Sequence, residues 1–247
     1  MSIEVQESLL DFGDQTAPGA VRPERVALSR GAWIDVQRGW LAGSAALFGR
    51  LAEGVPWRAE RRRMYDKTVD VPRLLCFFGE DAPLPDPVLG ACRDALSAHY
   101  AAELREPFVT AGLCYYRDGK DSVAWHGDRI GRGSTEDTMV AILSLGEARP
   151  LLLRPRGGGQ SGGGQSGGGQ SGGEQRGGRQ SGGRQSGGGQ SGGGQSGDGQ
   201  ARRYALGHGD LIVMGGSCQR TWEHAVPKSA RPTGPRISVQ FRPRGVR

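Results

Sequence analysis

The stretch Arg236-Ile237-Ser238-Val239-Gln240-Phe241-Arg242 alternates strictly between polar and apolar residues. In an extended segment side chains alternate between two faces, so Ile237, Val239 and Phe241 share one face and Arg236, Ser238, Gln240 and Arg242 the other. An edge strand with a basic outer side would carry such a pattern. A strand lining a barrel explains it better, because buried arginines stay charged and pair bidentately with the carboxylates of a bound dicarboxylate.

Outward from this strand, the chain holds many short apolar runs separated by turn residues. Val71–Gly79 reads as a buried strand opened by Pro72, and Val109–Tyr116, Thr138–Leu145 and Leu151–Arg154 read as further strands. Arg203–Leu206, Asp210–Met214 and His224–Val226 continue the series. Val26 to Leu51 suggests a short strand and then a helix. A helix is expected over Pro85–Leu104, with Val88, Leu89, Cys92, Leu96 and Tyr100 at three- and four-residue spacing. Strands in this number, preceded by helix, imply an α+β, mainly β fold: a jelly-roll double sheet (a double-stranded β-helix) with supporting N-terminal helices.

Only four histidines are available: His99, His126, His208 and His224. In Trp125-His126-Gly127-Asp128, period two puts His126 and Asp128 on one face. An imidazole and a carboxylate there form two thirds of the 2-His-1-carboxylate set that holds non-haem Fe(II). His224 follows the apolar strand Asp210–Met214 and the turn Gly215-Gly216-Ser217, a place from which a sheet could bring it beside His126. His99 falls in the last turn of a helix, where a cation complements the dipole, and is read as structural.

The chain has 247 residues, but 157–200 repeat Gly-Gly-Gly-Gln-Ser with occasional Arg, Glu and Asp and contain 23 of its 44 glycines. Such a tract buries nothing apolar, so a flexible coil inserted in a loop between strands is expected. The rest, 25–156 with 201–247, is expected to form one domain, after a disordered N-terminal segment over 1–24. The net charge of +6 permits contact with nucleic acid phosphates. The four cysteines form no C-x-x-C pair, no run approaches the length of a membrane span, and no basic leader opens the chain. A cytoplasmic monomer without a membrane partner is expected. Gln6, Leu9 and Phe12 faintly match a peptide that binds a bacterial sliding clamp. Arg61-Arg62-Arg63-Met64-Tyr65 offers charge for phosphates and a ring for a base, as a lid over nucleic acid would.

H-x-D, a distant His, then R-x-(N/S)-x-x-x-R resembles the AlkB group of Fe(II)/2-oxoglutarate dioxygenases. Val71-Pro72-Arg73, Cys114-Tyr115-Tyr116-Arg117 and His208–Gly216 resemble further landmarks of that family. The resemblance implies that His126, Asp128 and His224 bind iron. It implies that Arg236 and Tyr116 hold the distal carboxylate of 2-oxoglutarate, with Arg242 near the iron-side carboxylate and Ser238 where Asn often stands. His208 is structural on this reading. The implied activity is oxidative demethylation of N-alkylated bases in DNA, a direct-reversal repair that consumes 2-oxoglutarate and O2. An RNA or protein demethylase or hydroxylase of the same fold is the first alternative. A metal- or nucleic-acid-binding protein without turnover is the second. The chain departs from relatives at Cys114, where they have Asn, and at Ile130, where those that read an adenine edge often carry an acid. Met214 occupies a place that can be aromatic.

Overall fold

The computed structural model describes residues 16–64, 67–157 and 201–246, without the side chains of 62–69. In chain order the strands and helices are β1 (Ala17–Pro18), β2 (Glu24–Ala27), β3 (Ala32–Gln37), β4 (Leu41–Ala42), α1 (Ser44–Gly54), β5 (Arg58–Met64), β6 (Lys67–Phe78), α2 (Pro87–His99), α3 (Ala101–Leu104) and β7 (Thr110–Tyr116). They continue with β8 (Val123–His126), β9 (Val140–Gly146), β10 (Arg149–Pro155), β11 (Arg202–Leu206), β12 (Asp210–Gly216), α4 (Cys218–Thr221), β13 (Trp222–Val226) and β14 (Arg236–Arg242).

Two antiparallel sheets face each other in a double-stranded β-helix. The larger runs β2-β3-β12-β9-β14-β7-β6-β5 and the smaller β11-β10-β13-β8. The central strands β9 and β12 are apolar on both faces because both faces are covered. Leu143, Leu145, Leu211 and Val213 pack into one core with Leu47, Phe48 and Leu51 of α1 and Leu89, Cys92 and Leu96 of α2. Val140, Ile142, Ile212 and Met214 pack the other way, into a core between the sheets with Leu151, Leu153 and Trp222. Met214 is thus fully buried between the sheets and has no part in the cavity lining.

Helix α2 starts two residues later than its periodicity suggests. Asp86 caps it, accepting from the Val88 N–H at 2.9 Å, and Pro87 takes the first turn, where a missing N–H costs nothing. Arg50 of α1 donates to the same carboxylate at 2.7 Å, tying the two helices together.

Two expectations need correction. The segment assigned to disorder up to residue 24 is structured from Thr16 onward: β1 pairs with β4, and the Gly19 N–H donates to the Trp40 carbonyl at 2.8 Å. A two-residue strand carries no periodicity, and its order comes from partners more than twenty residues away. Strand β6 is not buried, since it lies next to the sheet edge and Phe77 is 51% exposed. Strands β10 and β11 pair from Arg149↔Leu206 to Leu153↔Arg202, so the glycine tract joins the two arms of one hairpin. Residues 158–200 of that tract, Tyr65, and Gln6, Leu9 and Phe12 lie outside the described residues. Among the described residues no helix is long and apolar enough to cross a membrane.

Candidate metal centre

The H-x-D pair sits where β8 ends and the chain turns away from the sheet. His126 is the last residue of β8, directly opposite His224 of β13, and their ring centroids are 4.2 Å apart. The His126 Nδ1–H donates to the Ala124 carbonyl at 2.8 Å. This fixes the tautomer and leaves Nε2 bare, 3.9 Å from Asp128 Oδ1. One ligand atom from each of His126, Asp128 and His224 lies within 4.8 Å of the others. Gly127 between the first two is required by close approach: a Cβ there would meet the backbone oxygen of Gln219 at 2.6 Å.

The charges suit a cation. Burial opposes ionisation of Asp128, but the Arg242 guanidinium and His224 outweigh it and hold the carboxyl down at about 2. Arg242 Nε donates to Asp128 Oδ2 at 2.7 Å, and the Asp128 N–H donates to the Gln219 side-chain carbonyl at 3.1 Å. Burial, then the neighbouring His126, pulls His224 down to about 3, so its ring is neutral and able to ligate. Two imidazoles and one carboxylate on one side of an ion leave its other positions open, which is the donor set of a non-haem ferrous site.

The same residues line a cavity of about 490 Å³. Its floor is a grid of paired strands. On β14, Arg236 lies opposite Tyr116 and Ser238 opposite Cys114 of β7. Arg236 is 1% exposed, and its Nε donates to Ser144 Oγ at 3.0 Å. Its Nη1 has no hydrogen-bond partner among the described residues. An unpaired buried guanidinium N–H costs about 1–3 kcal/mol, and a carboxylate would satisfy it. Burial keeps the Tyr116 phenol protonated up to about 12 against the pull of Arg236, Arg73 and Arg149, so it stays a donor. Arg149 is equally buried, but its two Nη groups are engaged. They donate to the carbonyls of Asp118, Asp121 and Pro227 and so brace the loops flanking the site, and only its Nε lacks a partner among the described residues.

The other candidate substrate residues scatter. Ile130, 70% exposed, reaches the surface at the cavity, as does Phe77, which the sequence did not mark as a site residue. Arg61 lies on β5, exposed and paired with Asp70 at 3.1 Å, and among the described side chains of that strand Glu60 lines the cavity. Arg62, Arg63 and Met64 belong to the same strand, but their side chains, like Tyr65, lie outside the described residues. Sequence reasoning passed over Ser144, Arg149 and Gln219. Ser144 alone gave a signal, as the one polar residue in Val140-Ala141-Ile142-Leu143-Ser144-Leu145.

Comparisons with known proteins agree with this geometry. A family model described as the 2OG-Fe(II) oxygenase superfamily matches residues 81–242. The alpha-ketoglutarate-dependent dioxygenase alkB homolog 3 of Mus musculus is 26% identical over 215 residues, 80% of this chain and 62% of that protein. The DNA oxidative demethylase ALKBH2 of Arabidopsis thaliana is 25% identical over 224 residues, 85% of this chain and 63% of that protein. The chain therefore spans about three fifths of the length of the curated relatives it matches. A solved 2OG-Fe(II) oxygenase family oxidoreductase from Burkholderia pseudomallei shares the fold, with a TM-score of 0.50 at 11% identity over 86% of each chain. The family model covers more than half of the sequence and includes all three residues able to hold a metal, and this chain belongs to the 2OG-Fe(II) oxygenase superfamily.

Proposed function

We propose that the chain is an Fe(II)- and 2-oxoglutarate-dependent dioxygenase that removes N-linked alkyl groups from bases of DNA. The observation that carries this reading is the unpaired Nη1 of buried Arg236 in the same cavity as His126, Asp128 and His224. A triad alone would suit several metals and several reactions. A triad facing a buried arginine suits a metal joined to an anionic cosubstrate.

Each residue has a task. His126, Asp128 and His224 hold the ferrous ion. Arg236 and the protonated Tyr116 bind the distal carboxylate of 2-oxoglutarate, with Ser144 fixing the arginine's rotamer. Ser238 and Arg242 face the cosubstrate's other end. The ion supplies activation of O2 coupled to decarboxylation of 2-oxoglutarate to succinate and CO2. With the ion bound, this chemistry would hydroxylate the N-alkyl carbon. Collapse of the resulting hemiaminal would break the C–N bond, return its electron pair to the ring nitrogen and release the carbon as an aldehyde. The hydroxyl proton would go to that nitrogen or to solvent according to the charge of the base. Apolar lining by Leu75, Val140, Ile142 and Leu151 keeps bulk water away from the reacting carbon.

The DNA assignment is supported by the surface at the cavity. Ile130 is an exposed aliphatic group and Phe77 an exposed ring, which suit a planar base taken out of its stack. The two relatives described above carry dioxygenase and demethylase names, and one is named for DNA. The test is product stoichiometry on matched methylated DNA, RNA and peptide substrates. Equal formaldehyde and succinate from DNA supports the reading. Equal products from RNA or peptide alone moves the activity to that substrate. Absence of both products from iron-loaded protein rejects the oxygenase.

A further inference from the structure

The polar groups between Arg236 and the metal ligands form a relay centred on Gln240. Its amide nitrogen donates to Ser238 Oγ at 2.8 Å. Its carbonyl accepts from Arg242 Nη2 at 3.3 Å, and Arg242 Nε reaches Asp128 Oδ2 at 2.7 Å. Three consecutive cavity-facing residues of β14 are thus linked to a candidate metal ligand.

The relay leaves two donors over. Ser238 Oγ accepts from Gln240, so its own hydroxyl proton is free for another acceptor, and no described residue takes it. Gln240 has two amide hydrogens. One serves Ser238; the other meets only the Cys114 thiol, at 3.4 Å, and sulfur is a weak acceptor. Two donors beside Arg242, in a cavity that already holds an unpaired arginine, await an anion.

We propose that Gln240 is the positioning residue for the 2-oxo acid end of the cosubstrate. It turns the Ser238 hydroxyl proton into the cavity and holds the Arg242 guanidinium in the plane that serves both Asp128 and the ligand. Cys114 is part of the same arrangement. It sits opposite Ser238 on the neighbouring strand, and its small side chain leaves the space that the glutamine amide fills. The amide of this subsite comes from β14 rather than β7.

The inference rests on the proposed cosubstrate, and the test separates the two. Calorimetric titration of 2-oxoglutarate into Mn(II)-loaded, full-length protein measures binding without turnover. Gln240→Ala should weaken binding about tenfold, the worth of one or two hydrogen bonds, with the ligand-free thermal midpoint little changed. In Cys114→Asn/Gln240→Ala an amide is returned to the same space from β7, and affinity should recover to within about threefold of wild type. Binding by Gln240→Ala within twofold of wild type overturns the inference while leaving the proposed function standing. So does a loss that Cys114→Asn fails to restore, which would assign the effect to packing. Wild-type protein that does not bind 2-oxoglutarate overturns both.

Discussion

The Asp128 carboxylate is held by Arg242 at 2.7 Å across 114 residues of sequence, and both side chains are nearly buried. This pairing keeps a carboxylate ionised in a dry site before any cation reaches it. Removing one partner of such a pair leaves an uncompensated charge and costs about 3–5 kcal/mol. Arg242→Met should therefore lower the thermal midpoint of the metal-free protein. A divalent cation takes over the guanidinium's task, so metal should raise the midpoint of the variant more than that of wild type. Equal shifts in differential scanning fluorimetry would show that Arg242 does not carry the charge of Asp128.

Acidification should destabilise the metal-free protein, mainly through His224. Its folded pKa of about 3 lies below the ordinary value of 6.5. Between those values the unfolded chain binds a proton that the folded chain refuses, so stability falls as pH falls, by at most about 1.4 kcal/mol per unit. Asp128 acts in the same direction in a lower window. Its carboxyl is depressed from 3.8 to about 2, so its stabilisation is complete above pH 3.8 and lost toward pH 2. Urea titrations at pH 7, 6 and 5 should show the slope in wild type and a flatter profile in His224→Asn. A slope unchanged in the variant would assign the effect to other groups.

Gly127→Ala places a methyl 2.6 Å from the Gln219 backbone oxygen. Because backbone cannot swing aside as a side chain can, the loop between His126 and Asp128 must move. A loss of about 1–3 kcal/mol in stability should accompany a drop in metal affinity well beyond that of Gly79→Ala, whose added methyl meets nothing within 4 Å. Equal metal affinity in the two variants would mean that the glycine is not needed for ligand placement.

Replacing residues 157–200 by a five-residue turn should stabilise the protein. The tract connects β10 to β11, and shortening a connection of that length is expected to recover about 2 kcal/mol of closure entropy. The corresponding rise in midpoint is roughly 4–8 °C. A fall in midpoint would show that the tract makes contacts of its own.

Legibility in the sequence followed the physics of each part. Strand β14 was readable because its two faces do different work, Ile237, Val239 and Phe241 in the core and Arg236, Ser238, Gln240 and Arg242 on the cavity. Strands β9 and β12 were readable as apolar runs, though not which of their faces meets helices and which the second sheet. The Ala17–Pro18 pairing and the exposure of β6 were hidden because they depend on strand order. Of the site, His126, Asp128 and His224 stood out as residue types able to bind metal. Their supports did not: Gln219 meets the Asp128 N–H across 91 residues and Ser144 meets Arg236 across 92. No local pattern encodes contacts of that range.

The most direct test of the metal centre is anaerobic titration of ferrous ion into the metal-free protein, with bound iron counted per chain. One tightly held ion is expected in wild type, lost in His224→Ala and in His126→Ala while circular dichroism shows the fold retained. One ion per chain held equally well by both variants would contradict it.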